Sequence, residues 1–225
     1  MNKYSYDTGK YDFAKLVKEV LSHEVLENIH NVLPGHINYN EVFNIDNDNE
    51  TWIHKQFYSK LNNGWPEFLE LYRKFIKEQV SLHFDVSLVY QARPTFWVHL
   101  PDNVAVGAYK LKEDGFHKDS DDGYGHPRDE ISIYLPLTDA YDTNTIWAES
   151  EEDKKDYSAM DAKYGEYYIW KGSCLSHGNK LNNTEQSRVS FDFRIIPKSQ
   201  YRPESYKSSR NQKKKFQVGD YYEEI

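Results

Sequence analysis

Sulfur is almost absent from the chain: among 225 residues there is one cysteine, Cys174, and two methionines. A single thiol excludes an intrachain disulfide and a cysteine-built zinc cage, and it fits a reducing compartment. Cys174 reads as a buried small side chain. No stretch approaches the roughly 18 apolar residues of a membrane span, and the opening MNKYSYDTGKYDF has no apolar signal region. With a mean hydropathy of −0.87, these features predict a soluble, cytoplasmic protein that does not engage membranes. Positive charge is also scarce, 28 Lys and Arg against 36 Asp and Glu, for a net charge of −8. That balance argues against nucleic acid as a partner, since phosphate backbones are bound by surplus basic residues. It favours a small-molecule substrate that is cationic or zwitterionic. No internal repeat is visible, and nothing in the pattern speaks to oligomeric state.

Aromatic residues are abundant, with nineteen Tyr, eleven Phe and five Trp, which suits a β-rich fold lined by rings. The length is compatible with one domain, 1–225, divided into a helical scaffold over 1–90, a β core over 91–197 and a basic tail over 198–225. Residues 12–33 read as one amphipathic helix, with Phe13, Leu16, Val17, Val20 and Leu21 at helical spacing and Leu33-Pro34-Gly35 ending it. The stretch 36–50 reads as loop, and 52–61 as a short helix. Pro66 suits the first position of a further helix carrying Phe68, Leu69, Tyr72, Phe75, Ile76 and Val80 on one face. His23, His30, His54 and His83 fall in these stretches and read as scaffold.

Beyond residue 90 the pattern becomes one of short strands, at 96–100, 104–111, 131–137, 145–149, 167–170 and 188–195, separated by turn residues. Helices first and strands afterwards predict an α+β chain with a mostly β core. The acidic run 149–156 reads as a solvated loop. The tail carries seven basic residues between Lys198 and Phe216 against the single acid Glu204, and reads either as a solvated segment or as a lid over an anionic cosubstrate or a docking strip for an acidic partner, with the final residues 218–222 able to pack back onto the core.

The chemistry gathers in the second half. His117 and Asp119 stand two apart, so on an extended segment both side chains leave the same face. His177, far downstream, supplies a second imidazole. Two imidazoles and one carboxylate leave three coordination positions open, the arrangement suited to non-haem Fe(II) oxygen chemistry. In the run 188–195, Val189, Phe191, Phe193 and Ile195 make one apolar face, while Arg188, Ser190, Asp192 and Arg194 make the other. That polar face is either ordinary solvent-exposed strand or the wall of a barrel interior. In the second case Arg188 forks onto a carboxylate and Ser190 adds a hydroxyl donor.

The set HKD, SHGN and RVS resembles the iron(II)- and 2-oxoglutarate-dependent oxygenases. The runs EISIYLPLTDAYDTNTIWAES and YGEYYIWKGSCLSHGNKLNNTEQSRVSFDFRIIP are similar to the streptomycin-biosynthesis type of these enzymes and, more loosely, to the phytanoyl-CoA dioxygenase-like pattern. The likeness covers 94–197. It implies a double-stranded β-helix (jelly roll, cupin-like) buttressed by the N-terminal helices. It implies His117, Asp119 and His177 as Fe(II) ligands and Arg188 with Ser190 as the clamp for 2-oxoglutarate. O2 would then be consumed, succinate and CO2 formed, and the substrate hydroxylated or otherwise oxidised. Related halogenases replace the carboxylate ligand with a small residue, so Asp119 points to oxidation rather than halogenation.

The substrate expected on this pattern is small and polar, an aminoglycoside-like amino sugar or a free basic amino acid. Asn144 and Trp147 either contact it or simply pack. Asp192 and Arg194 either meet its charged groups or pair with each other or with solvent. His99 and His126 flank expected pocket loops, and either support the site or substrate or are structural. The alternatives are a cupin-fold metal enzyme that does not use 2-oxoglutarate and a non-catalytic binding module.

Overall fold

The computed structural model describes residues 1–32, 52–102, 116–121, 125–209 and 213–225. The expected strand 104–111, the loop 36–50 and the helix stop at 33–35 lie outside them.

Three helices form one layer. Helix α1 (Phe13–Leu21) starts at Asp12, whose carboxylate accepts from the Lys15 N–H at 2.9 Å, and buries Phe13, Ala14, Val17 and Leu21 on one face. The single helix expected over 12–33 stops at Leu21. Ser22 adopts the left-handed conformation (φ 51°), its N–H closing onto Glu19, and the chain re-enters as a 3-10 segment over Leu26–Val32. Helix α2 (Trp52–Asn62) buries Ile53, His54, Phe57 and Leu61. Helix α3 (Pro66–Phe75) begins on its proline, buries Phe68, Tyr72 and Phe75, and runs into a π turn over Ile76–Val80. Among the described residues no helix is long and apolar enough to cross a membrane.

The remainder is mostly antiparallel β structure. In chain order the strands are β1 (Asn2–Ser5), β2 (Leu88–Gln91), β3 (Thr95–His99), β4 (Ile131–Pro136), β5 (Ile146–Ala148), β6 (Ser158–Ala159), β7 (Glu166–Trp170), β8 (His177–Asn179), β9 (Arg188–Pro197), β10 (Glu204–Ser208), β11 (Lys215–Phe216) and β12 (Tyr222–Glu224). A seven-stranded sheet runs β1-β7-β4-β9-β2-β12, with β3 also pairing β9; a three-stranded sheet runs β6-β5-β8. Strand β9 is the axis of the large sheet. One edge pairs with β4, and the other pairs with β3 and then β2 in tandem.

Every residue of β9 is buried, so its polar face is interior and not solvent-exposed strand. On one side Val189, Phe191, Phe193 and Ile195 join the main core with the helices. Phe191 is ringed by Phe13, Phe57, Phe68 and Phe96 at centroid distances of 5.9, 5.6, 5.3 and 5.8 Å, a mostly tilted or edge-on arrangement that favours the ring quadrupoles. On the other side Arg188, Ser190, Asp192 and Arg194 share a face, from which Arg188 reaches Asn179 of the three-stranded sheet. The two sheets meet there through Trp170 of β7, which stands edge-on to His177 of β8 at 4.7 Å.

Both ends of the chain depart from the simple division into scaffold, core and tail. Strand β1 lies within the expected helical scaffold and pairs with β7. The tail does not end as a solvated segment: β12 pairs with β2, and Phe216, Tyr221 and Tyr222 are buried against Val89 and Ile196. Cys174 is half-buried rather than buried. The acidic loop 149–156 is exposed from Ser150 onward, but Glu149 is fully buried and accepts from the N–H groups of Asp153, Lys155 and Ser176. It is a loop organised around one internal carboxylate.

Candidate metal centre

His117, Asp119 and His177 converge. One ligand atom from each lies within 4.8 Å of the others, which is a metal-sized cluster. The backbone sets this meeting: His117 and His177 form an isolated antiparallel bridge, each N–H donating to the other's carbonyl at 2.9 and 2.8 Å. Asp119 is tied down in turn, its N–H donating to Gly172 O at 3.1 Å and its carbonyl accepting from the His126 N–H at 3.0 Å.

Protonation in the cluster suits a cation. The His177 Nδ1 lies 2.9 Å from the Leu175 carbonyl, which places the ring proton there and leaves the Nε2 lone pair free. Burial, reinforced by His117, pushes His177 down to about 4, so the ring is neutral at physiological pH. Burial works against the Asp119 anion, yet Arg194 above all, with His117, holds its carboxyl well below the usual carboxylate range. The Oδ1 of Asp119 therefore stands 3.6 Å from the Nε2 lone pair of His177 and 3.7 Å from the Nε2 of His117. A carboxylate oxygen facing a ring lone pair is not an ion pair; it is an electron-rich point that a divalent cation would fill.

Arg188 and Ser190, expected as a clamp, share the face of β9 that carries Asp192 and Arg194. Arg188 is 1% exposed and donates from Nη1 to Asn179 Oδ1 at 3.1 Å, while its Nε has no partner. Ser190 is buried on the same face, opposite Trp97 of β3 and Pro136 of β4. The chamber is rich in unanswered polar atoms: Trp97 Nε1, Ser132 Oγ, Trp170 Nε1, Arg188 Nε, Asp192 Oδ1 and Arg194 Nε are all buried without a hydrogen-bond partner. All six belong to β3, β4, β7 and β9, and the register aligns them on one face of the large sheet. Buried polar groups are nearly always satisfied, so this concentration makes the face a candidate for ligand contact.

The four residues considered for substrate contact separate. Asp192 and Arg194 lie in the chamber and pair with each other, Arg194 Nη2 standing 3.0 Å from Asp192 Oδ2. The same nitrogen reaches Asp119 Oδ2 at 2.9 Å. Burial, opposed by Arg194, pushes Asp192 up to about 6. Asn144 is buried, and its side-chain oxygen caps the turn over Asp142–Asn144 by accepting from the Tyr141 N–H at 2.7 Å. Trp147 pairs with Gly178 while its neighbour Ala148 pairs with His177, so the indole leaves the small sheet on the face opposite His177. There it donates to Asp142 O at 2.8 Å and carries Lys180 over its ring. His99 sits opposite Arg188, with Nδ1 3.1 Å from Asn144 O. His126 holds the buried Glu130 at 2.8 Å.

Sequence reasoning passed over Asn179, Trp97 and Trp170. Asn179 was legible in SHGN, since it stands two after His177 on a strand and therefore shares its face.

No protein-family model matches the chain. Among solved structures, the non-heme alpha-ketoglutarate-dependent carbocyclase SnoK from nogalamycin biosynthesis aligns over 69% of this chain and 71% of its own, at 12% identity and a TM-score of 0.45. The non-heme monooxygenase ThoJ, as its nickel complex, aligns over 86% and 71%, at 14% identity and a TM-score of 0.43. The streptomycin biosynthesis protein StrG of Streptomyces griseus is 33% identical over 228 residues, covering 100% of both chains. With identity at that level along the full length of both, the chain belongs to the family of StrG.

Proposed function

We propose that the protein is an Fe(II)- and 2-oxoglutarate-dependent oxygenase of the double-stranded β-helix type, which hydroxylates or otherwise oxidises a small polar substrate. The observation that carries this reading is Arg188. Its guanidinium is buried in the chamber of the metal cluster, and among the described residues no carboxylate lies within ion-pair distance of it. A buried cation without an anion is costly unless a ligand brings one. A dicarboxylate that also reaches the metal answers that need. A cupin-fold enzyme working without 2-oxoglutarate, or a silent binding module, leaves Arg188 uncompensated.

His117, Asp119 and His177 would hold the metal, with Asp119 kept as the anion and His177 as the neutral ring that coordination requires. Arg188 and Ser190 would bind and orient the far carboxylate of 2-oxoglutarate by a charge-assisted contact and a hydroxyl donor. Asn179 keeps the guanidinium turned toward the chamber. Trp97, Tyr134 and Trp170 wall the cavity with rings and limit the entry of water. Iron with 2-oxoglutarate supplies O2 activation coupled to oxidative decarboxylation, and the protein supplies geometry and a dry site. Asp119 fills the position that halogenation would need open.

For the substrate, the StrG relationship supports an aminoglycoside-like amino sugar over a free basic amino acid, since that relative's name places it in streptomycin biosynthesis. The net charge of −8 suits such a cation. The test is anaerobic titration of the Fe(II)-loaded protein with 2-oxoglutarate. A weak visible charge-transfer band that saturates is expected; a protein that binds Fe(II) and gives no band is not this kind of oxygenase.

A further inference from the structure

The two oxygens of Asp119 have different neighbours. Oδ1 faces the Nε2 atoms of His177 and His117 at 3.6 and 3.7 Å. Oδ2 receives Arg194 Nη2 at 2.9 Å. That nitrogen has two N–H bonds, and its second neighbour is Asp192 Oδ2 at 3.0 Å. The three groups are 4, 9 and 6% exposed for Asp119, Asp192 and Arg194, so water competes little for these contacts. Arg194 is itself fixed. It lies within β9, faces Ser132 across the β4 ladder, and its backbone N–H donates to Gln91 Oε1 at 3.2 Å.

We infer that Arg194 is a positioning residue that makes Asp119 a one-oxygen metal ligand, with Asp192 seating Arg194. The inference rests on the metal-centre reading above and deepens it. A charge-assisted hydrogen bond at Oδ2, 2.9 Å from Arg194 Nη2, holds the carboxylate orientation and draws that oxygen's electron density toward the guanidinium, which favours coordination through Oδ1 alone. Two-oxygen chelation by Asp119 would consume one of the three positions that two imidazoles and a carboxylate leave open. On the oxygenase reading, 2-oxoglutarate and O2 would need those open positions, so the Arg194 contact would keep the site competent for both. This also accounts for two acidic side chains sharing one terminal nitrogen: Asp192 holds the guanidinium in place rather than competing for the metal.

The test uses the full chain loaded with Co(II), whose visible d–d absorption reports coordination number without turnover. Arg194→Gln is expected to retain Co(II), to change the d–d spectrum, and to weaken 2-oxoglutarate binding by roughly tenfold or more, as outer contacts to metal ligands commonly do. Arg194→Lys, whose ammonium serves as a single donor to both carboxylates, is expected to recover much of the wild-type spectrum. A merely structural role would lower the melting temperature of both variants and leave the spectrum of the folded fraction alone. If Arg194→Gln does not fold, Asp192→Asn replaces it, with a smaller shift of the same kind expected. A folded Arg194→Gln or Asp192→Asn protein with the wild-type spectrum and wild-type 2-oxoglutarate affinity overturns the inference. Wild-type protein that binds Co(II) but not 2-oxoglutarate overturns the oxygenase reading instead, and the spectral comparison still decides the role of Arg194.

Discussion

His117 and His177 are joined through their main chains before their side chains meet: two reciprocal N–H···O=C bonds, 2.9 and 2.8 Å long, hold the ring centroids 4.6 Å apart. The pairing does not depend on either imidazole. His117→Ala should therefore leave the metal-free fold nearly intact, with melting within a few degrees of wild type, while Fe(II) binding and succinate formation are lost. Circular dichroism melts and equilibrium dialysis check both halves. Retained turnover would mean that the ligands are misassigned.

Arg188 carries the cosubstrate prediction. Truncating one member of a buried, hydrogen-bonded charge pair costs about 2–5 kcal/mol of binding. Arg188→Ala should weaken 2-oxoglutarate binding by at least about 30-fold with Fe(II) affinity little changed, and Ser190→Ala should weaken it less, by about 1 kcal/mol. The charge-transfer titration reads both. Equal affinities in wild type and Arg188→Ala would remove the clamp.

Acid sensitivity should be traceable to His54. Burial pushes its pKa down from 6.5 to about 4. The folded state keeps the ring neutral while the unfolded chain protonates it below pH 6.5. Its stabilising contribution is therefore whole above pH 6.5 and is lost as pH falls toward 4, by up to about 1.4 kcal/mol per pH unit. His54→Gln should be less stable at neutral pH yet lose stability less steeply between pH 6.5 and 4, as measured by urea midpoints. Parallel slopes for the two proteins would acquit His54.

Phe191 links the helices to the sheet. Replacing it with Ala removes a ring that four others contact, at a cost of about 3–5 kcal/mol. For a chain of this size that is a fall of roughly 6–20 °C in melting temperature. Scanning calorimetry measures it, and a fall of only 1–2 °C would show that the surrounding rings collapse into the space.

How far the molecule could be read from its sequence depended on whether a pattern was local. The apolar alternation Val189, Phe191, Phe193, Ile195 announced a strand with one face in the core, and HKD announced two side chains on a common face. The pattern did not say that the second face of β9 is interior, because a chamber wall and a wetted surface both carry Arg, Ser and Asp. Four residues, Asn2 to Ser5, gave no strand signal of their own; they are a strand because β7 offers them an edge. The last tyrosines of the tail, Tyr221 and Tyr222, were legible as able to pack back, whereas Phe216, set beside three lysines, was not, and all three are buried. Trp147 drew attention as an aromatic near the site, yet its register opposite Gly178, set by β8, turns it outward. Ser22 ended α1 through a left-handed conformation that helical spacing alone does not reveal.

The central position of β9 also shapes how the protein reaches its native state. Its partners β3 and β4 lie far upstream, so each ladder closes a long loop before it gains anything in return, and chains built on such distant antiparallel pairings fold on the slow, millisecond-to-second side. His117 and His177 belong to the same class of distant pairing, so the ligand cluster exists only once the sheets have met. An ion held by this cluster would find no assembled site in the unfolded chain. It would add its binding free energy to the finished fold by mass action and slow unfolding rather than template folding.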